Sequence, residues 1–453
     1  MGELFVTADR AQLKLGPKEY SALLWGDRVI VEGDPDADEV VCRAHGYERT
    51  GTIPRGLLGP VDPKLLEIYV IDVGQGDAIL IRTPNHRWHL VDGGPRKATA
   101  MLEKNARRFL AWKFARDLDM DTVKLENVIL SHSDWDHFGG LTEILASDYR
   151  IYPDERPLQT TVERFLHAGI AKFKGSNELG LEGDAIPAAN QVSDRATFES
   201  PPREFATEYG KLAKAVCELK TADGDPTEAR RVRRGDFIPG YGEDATVSMR
   251  ILGPMPENGA GDLPKLGDEG ETVNGHSVVM RIDYGDARVL LTGDINSAAE
   301  ERLLADAPEE FAADVVKACH HGSDDLDPRF AHHAGARVTV VSSGDSEGYS
   351  HPRPQAVGAY AYYGRRSFSE AAEPQPQPPM IYSTEVARSM KFEELDRPGD
   401  DPLVVVEGTV YGLVNVRTDG KRILCATRNE ADAAFDVESF PAGQSPADDD
   451  PPL

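Results

Sequence analysis

The chain has 453 residues, 40% of them hydrophobic and 28% charged, which is enough for a large folded core with attached units. Asp and Glu outnumber Lys and Arg by 77 to 50, a net charge of −27. That field repels polyanions and excludes a general nucleic-acid coating role unless basic residues are gathered locally.

No apolar run approaches the roughly 18 residues of a membrane-crossing helix. The opening MGELFVTADR lacks the basic and apolar segments of a secretion signal, and Val6 breaks the myristoylation pattern. Cys42, Cys217, Cys319 and Cys425 are scattered without paired spacing and are expected to be reduced core residues of a cytoplasmic protein.

Residues 1–60 carry short strand-like runs, Asp27–Val31, Glu39–Arg43 and Tyr47–Ile53, separated by Gly, Asp and Pro. They predict a small SH3-like β-barrel with Pro54–Pro63 as its exit linker; the alternative is an extension packed on the main domain. From Glu67 the pattern changes to buried-strand runs: Ile68–Val73, Ala78–Ile81, Val128–Leu130, Val278–Ile282, Val289–Leu291, Val315–Ala318 and Val338–Val341. Helical stretches Ala100–Asp119 and Ser297–Ala307 lie between them. The order predicts an α/β fold over 61–428, two packed sheets with helices outside.

Residues 150–245 read as an insertion with an amphipathic helix at Ser200–Lys220 and the basic run ARRVRRG. Glu257–Gly275 and Arg365–Pro379 read as loops. The acidic, Pro-rich stretch 429–453 predicts a disordered tail. Thr418-Asp419-Gly420-Lys421 between Leu413–Val416 and Arg422–Ala426 is a hairpin signal.

The chemistry follows the apolar runs. Val128–Leu130 ends in Ser131-His132-Ser133-Asp134-Trp135-Asp136-His137-Phe138-Gly139-Gly140, Val289–Leu291 in Thr292-Gly293-Asp294, Val315–Cys319 in His320-His321-Gly322-Ser323, and Trp88–Val91 in Asp92-Gly93-Gly94. Donors at strand ends sit on a rigid scaffold whose loops can converge. Four donors within His132-x-Asp134-x-Asp136-His137 are costly to bury alone, and a pair of divalent ions solves that problem. His132 and Asp134 are expected to grip one ion, Asp136 and His137 a second, with Asp294 bridging.

HxDxDH followed by two glycines resembles the signature loop of the metallo-β-lactamase superfamily. Together with Asp72-Val73-Gly74-Gln75-Gly76-Asp77-Ala78, Leu90–Gly94, Leu291–Asp294 and His320–Ser323 it is similar to the hydrolase domain of the competence DNA-uptake (ComEC-type) branch, in a stand-alone form. The resemblance covers roughly Leu66–Gly364 and the hairpin to Thr427. It implies an αββα sandwich, two divalent metal ions and hydrolytic activity.

Asp134 replaces the superfamily's second His, and its hard oxygen tilts the expected ion from Zn²⁺ towards Mn²⁺. The superfamily's next His is matched by His276, with Asn274 and Ser277 as the alternatives in this branch. His320 and His351 are both expected at the site as ligand or leaving-group acid, beside Asp136. His321 is read as packing behind them or as a further ligand. Asp77 and Asp92 are expected to orient ligating imidazoles; His167, ending a possible strand, is a weaker candidate, with lining the cleft as its minority reading. His332 and His333 are read as solvated, and His45, His86 and His89 as structural or exposed.

Two ions with a hydroxide between them suit in-line attack at phosphorus. By the branch resemblance, the expected activity is a phosphodiesterase or nuclease acting on nucleic acid or an oligonucleotide; Arg230, Arg231, Arg233 and Arg234 read first as a solvated face, with local guidance of a strand as the alternative. Hydrolysis of a small ester, lactone or thioester is the alternative. A third reading is a partner-regulated effector of prokaryotic antiviral defence, contacting a protein through its N-terminal unit, with no membrane involved.

Overall fold

A computed structural model describes the chain apart from residues 1, 47, 97–105, 147–157, 258, 260, 345–348, 369–375, 385–388, 396–402, 411–412, 429–434 and 444–453. The start of the Ala100–Asp119 stretch, part of the PQPQPP tract and the DDDPPL end lie outside the described residues.

Seven antiparallel strands between Glu3 and Gly59 form the N-terminal sheet. Leu4, Val6, Leu13, Val29, Val40 and Ile53 alternate with exposed neighbours and close a core of their own. The expected strand over Tyr47–Ile53 is shorter and later, Gly51–Pro54. Beyond it lie β1 (Leu66–Val70), β2 (Ile79–Arg82), β3 (Trp88–Val91), β4 (Thr122–Leu130), β5 (Gln159–His167) and β6 (Glu228–Arg231). Next come β7 (Val247–Gly253), β8 (Val279–Tyr284), β9 (Ala287–Leu291), β10 (Val315–Lys317), β11 (Val338–Val341) and β12 (Met380–Ser383). The chain then returns with β13 (Val414–Thr418), β14 (Arg422–Arg428) and β15 (Phe435–Pro441).

The first sheet runs β6-β5-β4-β3-β2-β1-β13-β14-β15 and the second β7-β8-β9-β10-β11-β12. Strand alternation sorts the side chains into layers. Ile68, Val70, Ile79, Ile81, Ile129 and Leu166 point inward against Met249, Ile251, Met280, Ile282, Val289 and Val340. The neighbours Tyr69, Leu80, Leu90 and Val128 point outward under Phe109, Leu110, Phe114, Leu212 and Val216. Leu252, Val279, Leu290 and Val316 do the same under Ala299, Leu303, Phe330 and Tyr360. This is the αββα sandwich expected.

Three local readings are corrected. Residues 150–245 are not a separate insertion: β5 and β6 extend the first sheet in parallel with β4, and helix Thr207–Glu218 covers its outer face. Glu257–Gly275 contains the helix Glu269–Gly275, whose capping box joins Asp268 to Glu271. Within the expected tail, β15 pairs along β14, with Phe435 and Val437 packed at the N-terminal unit.

His89 and Asn127, paired across β3 and β4, form a buried polar relay. The Asn127 amide donates to His89 Nδ1 (2.9 Å), His89 Nε2 donates to Tyr241 Oη (3.1 Å), and Tyr241 donates to Glu126 (2.8 Å). Burial, helped by Arg164 and Arg87, pushes the ring down to about 3. Below its usual range near 6.5 the unfolded chain takes up a proton that the folded ring refuses, so stability is full above that range and falls as pH drops towards 3. Thermal melts between about pH 7 and pH 5 should show this loss, and His89→Gln should reduce its slope; an unchanged slope in the variant would assign the acid sensitivity to the other buried histidines.

Candidate metal centre

The strand ends meet on one rim. Asp92, just past β3 with φ 57°, accepts from the Ser131 backbone N–H (2.7 Å) and hydroxyl (2.6 Å), and its Oδ2 holds His137 Nδ1 at 2.8 Å. That contact fixes the tautomer of His137 and aims Nε2 into the site. The close backbone approach beside it explains the paired glycines: a Cβ on Gly140 would lie 2.0 Å from the Gly93 carbonyl.

Asp294 is the centre of the cluster. Its Oδ2 lies 3.1 Å from His137 Nε2 and 2.9 Å from His321 Nε2; the two imidazole nitrogens are 3.3 Å apart, and Asp136 Oδ2 is 3.5 Å from His321. One donor atom from each of Asp136, His137, Asp294 and His321 falls within 4.8 Å of the others. His321 reaches this position through a left-handed backbone, φ 44° at His320 and 54° at His321, a conformation that costs roughly 1–2 kcal/mol per non-glycine residue. His321 Nδ1 donates to the Ser342 carbonyl (2.9 Å), so Nε2 is the ring atom that faces inward.

His132 stands opposite. Its Nδ1 meets Ser131 and Ser277 hydroxyls at 3.0 and 3.2 Å, while its buried Nε2 has no hydrogen-bond partner and lies 3.9 Å from Asp134 Oδ2 and 4.0 Å from Asp294 Oδ2. Burial and the neighbouring His137 push His132 down to about 4, so the ring offers that nitrogen unprotonated.

The electrostatics ask for a cation. Burial disfavours charge on His137 and His321, yet Asp294 foremost holds both rings well above 6.5. Burial likewise opposes ionised Asp294, but His137, His321 and Lys317 hold it well below 3.8. Two imidazole nitrogens at 3.3 Å, two carboxylates and an orphaned third imidazole nitrogen are a donor set that a divalent ion satisfies directly. The residues fit the group.

Some expected residues take other places. His276 does not join the cluster: its Nε2 donates to the Pro264 carbonyl at 2.7 Å in an apolar setting, and Ser277 turns inward in its stead, accepting from the Asp294 N–H. His320 and His351 do reach the rim. Asn274 lies 3.4 Å from His320 Nε2, Gln75 lies 3.2 Å from His351 Nδ1, and the two rings are 5.7 Å apart. Asp77 acts chiefly on Lys317, at 2.6 Å, and only at 3.5 Å on His321. His167 is buried among Phe165 and Phe198, its Nδ1 accepting from the Gly169 N–H at 3.1 Å. Lys317, which the sequence reading passed over, is fully buried between Asp77, the Gly293 carbonyl (2.8 Å) and Asp294 (3.2 Å). Its position two residues before Cys319-His320-His321 in a wholly apolar strand was the available signal.

The Metallo-beta-lactamase superfamily matches residues 71–147, which hold Asp77, Asp92 and the whole His132–His137 loop. That stretch, and not the whole chain, is similar to the superfamily. ComE operon protein 3 of Bacillus subtilis (strain 168) is a distant relative, 23% identical over 64% of this chain and 30% of its own length. Competence protein ComA of Neisseria gonorrhoeae is 34% identical over 17% of this chain and 12% of its own. The chain thus spans less than a third of the relatives it matches. Among solved structures, the metallo-beta-lactamase fold protein YhfI from Bacillus subtilis aligns with 71% of this chain and 97% of its own, at 13% identity and TM-score 0.35. A diphosphatase of the PhnP family aligns with 61% and 86%, at 12% and 0.28. The partial family match agrees with the αββα fold, and the donor cluster lies at the strand ends where it could hold a metal ion. Among the described residues no helix is long and apolar enough to cross a membrane.

Two outcomes follow for this site. Asp294→Asn should leave the sheets folded, because apolar burial holds them, while elemental analysis after reconstitution shows less metal per chain than wild type; equal metal content would remove Asp294 from the ligand set. Lys317→Met leaves Asp77 and Asp294 facing each other in a dry interior and should destabilise the chelated protein by roughly 3–5 kcal/mol in denaturant titrations.

Proposed function

We propose that the chain is a phosphodiesterase acting on nucleic acid or an oligonucleotide. The observation that carries the reading is the two-tier site. A floor of metal donors, Asp136, His137, Asp294 and His321, lies under a rim of side chains that suit phosphate oxygens: His320, whose Nδ1 has no hydrogen-bond partner, Asn274, Gln75 and His351. Support also comes from the resemblance to the DNA-uptake branch and from one relative named a competence protein.

When bound, divalent ions supply an activated water and offset charge on the non-bridging oxygens. Asp294 and Asp136 hold the floor, and Asp92 keeps His137 aimed. Burial and the neighbouring imidazoles push His351 down to about 4, and burial lowers His320 as well. The His351 ring therefore meets substrate neutral, as an N–H donor to a developing oxyanion rather than as a cationic acid. The oxygen of Asp134 favours Mn²⁺ over Zn²⁺.

The arginine run contributes less than its sequence suggests. Arg231 donates to Gln191 (2.6 Å), and Arg234 clamps Asp306 (2.6 Å) and Glu310 (2.7 Å). Arg230 is the exposed member, on the edge strand β6, and the one this reading assigns to a nucleic-acid strand. An effector role in antiviral defence, with the N-terminal sheet facing a protein partner, belongs to the same reading and rests on resemblance to stand-alone members of the branch.

Two assays test this. The double variant Asp136→Ala, His137→Ala should abolish hydrolysis of a small chromogenic phosphodiester; a wild type that cleaves chromogenic lactones or carboxylic esters but no phosphodiester would shift the proposal to ester hydrolysis. Arg230→Glu should weaken cleavage of a long nucleic acid at low salt while sparing the small substrate, because only a long polyanion releases counterions there.

A further inference from the structure

Lys172 stands where the chemistry does not call for a cation of the chain's own. It follows β5 and is fixed by its backbone: the Lys172 carbonyl accepts from the Ala206 N–H (2.8 Å), Lys174 N–H donates to the Glu204 carbonyl (2.8 Å), and Phe173 is buried and stacked on Phe205 at 5.7 Å. From that anchored position its ammonium reaches Asp134 Oδ1 at 2.5 Å, with 29% of the side chain exposed.

The two halves of the metal centre are thereby unlike. One has Asp136, His137, His321 and Asp294, two carboxylates and two imidazoles already in mutual contact. The other has His132 Nε2 and Asp134 Oδ2, with Asp294 shared; His276 is committed to Pro264, and Asp134 is already neutralised. We propose that Lys172 makes the two metal positions unequal: the His137–His321 position holds its ion tightly, and the ammonium on Asp134 turns the His132 position into a weak, exchangeable one.

A divalent ion entering beside His132 must share Asp134 with a positive charge a few ångströms away, and that repulsion acts on binding alone. The ion at His137 and His321 does not use Asp134. The inference rests on metal dependence and is independent of which bond is hydrolysed.

Metal binding itself is the readout. Chelated full-length protein is titrated with Mn²⁺ alone, by calorimetry and by the electron paramagnetic signal of free Mn²⁺, and metal content is measured after desalting. Wild type should keep a single ion and bind another at least about tenfold more weakly, whereas Lys172→Met should tighten that second step by about tenfold or more and leave the first unchanged. Lys172→Arg, which keeps the charge, should behave as wild type, and its circular dichroism checks that the loop tolerates substitution. Two equal steps in wild type, or a weak second step unchanged in Lys172→Met, would overturn the proposal. Loss of phosphodiesterase activity without these binding changes would bear only on the proposed function.

Discussion

Asp294 is a buried carboxylate, and the rest of the site is arranged around the cost of keeping it ionised. Desolvation alone would drive it neutral. Lys317 from β10, His137 from the loop after β4 and His321 from the turn after β10 each bring positive or polarisable charge to it. Those elements come from both sheets, so the inter-sheet packing and the charge balance depend on each other. A shift of either sheet by a fraction of a strand would leave an unpaired charge in the interior, which is far costlier than a lost apolar contact.

The layered architecture and the ligand-bearing rim were legible in the sequence because both rest on local signals. Runs such as Val289–Leu291 are apolar on both faces and end abruptly in polar residues, so strand and site were visible together. The choice among His320, His321 and His351 was not legible. It depends on consecutive left-handed residues that swing His321 under the rim and leave His320 above it, and neighbouring identical side chains carry no sign of that. His276 misled for a related reason: as the residue closing the helix Glu269–Gly275 it points back to Pro264, while Ser277, one step on, points to the metal site. Lys172 was invisible because its partner Asp134 is 38 positions away and only the pairing of β5 with β4 brings them together.

Composition misled where it outweighed pattern. The stretch after Asn429 reads as solvated because it is rich in acidic residues, yet Phe435, Val437 and Phe440 lie on an edge strand and bury against neighbours. Asp268 and Glu271 form a capping box three residues apart that marks a helix start inside what its glycines and acids suggest is a loop.

The seam between the N-terminal sheet and β13–β15 has its own consequence. Arg417 of β13, almost wholly buried, donates to the Trp25 carbonyl (2.5 Å) and to Asp27 (2.8 Å), while Arg422 lies 4.0 Å over the Trp25 ring and pairs with Asp9 (2.7 Å). Leu24, Trp25 and Leu65 cover Leu424 and Ala426 at the same seam. Severing the chain near Pro63 and producing the hydrolase fold alone would strand a guanidinium without its acceptors and bare an apolar strip next to a sheet edge. The N-terminal sheet therefore covers part of the sandwich's own core, and what looks in the sequence like a detachable appendage supplies partners that the rest of the fold needs.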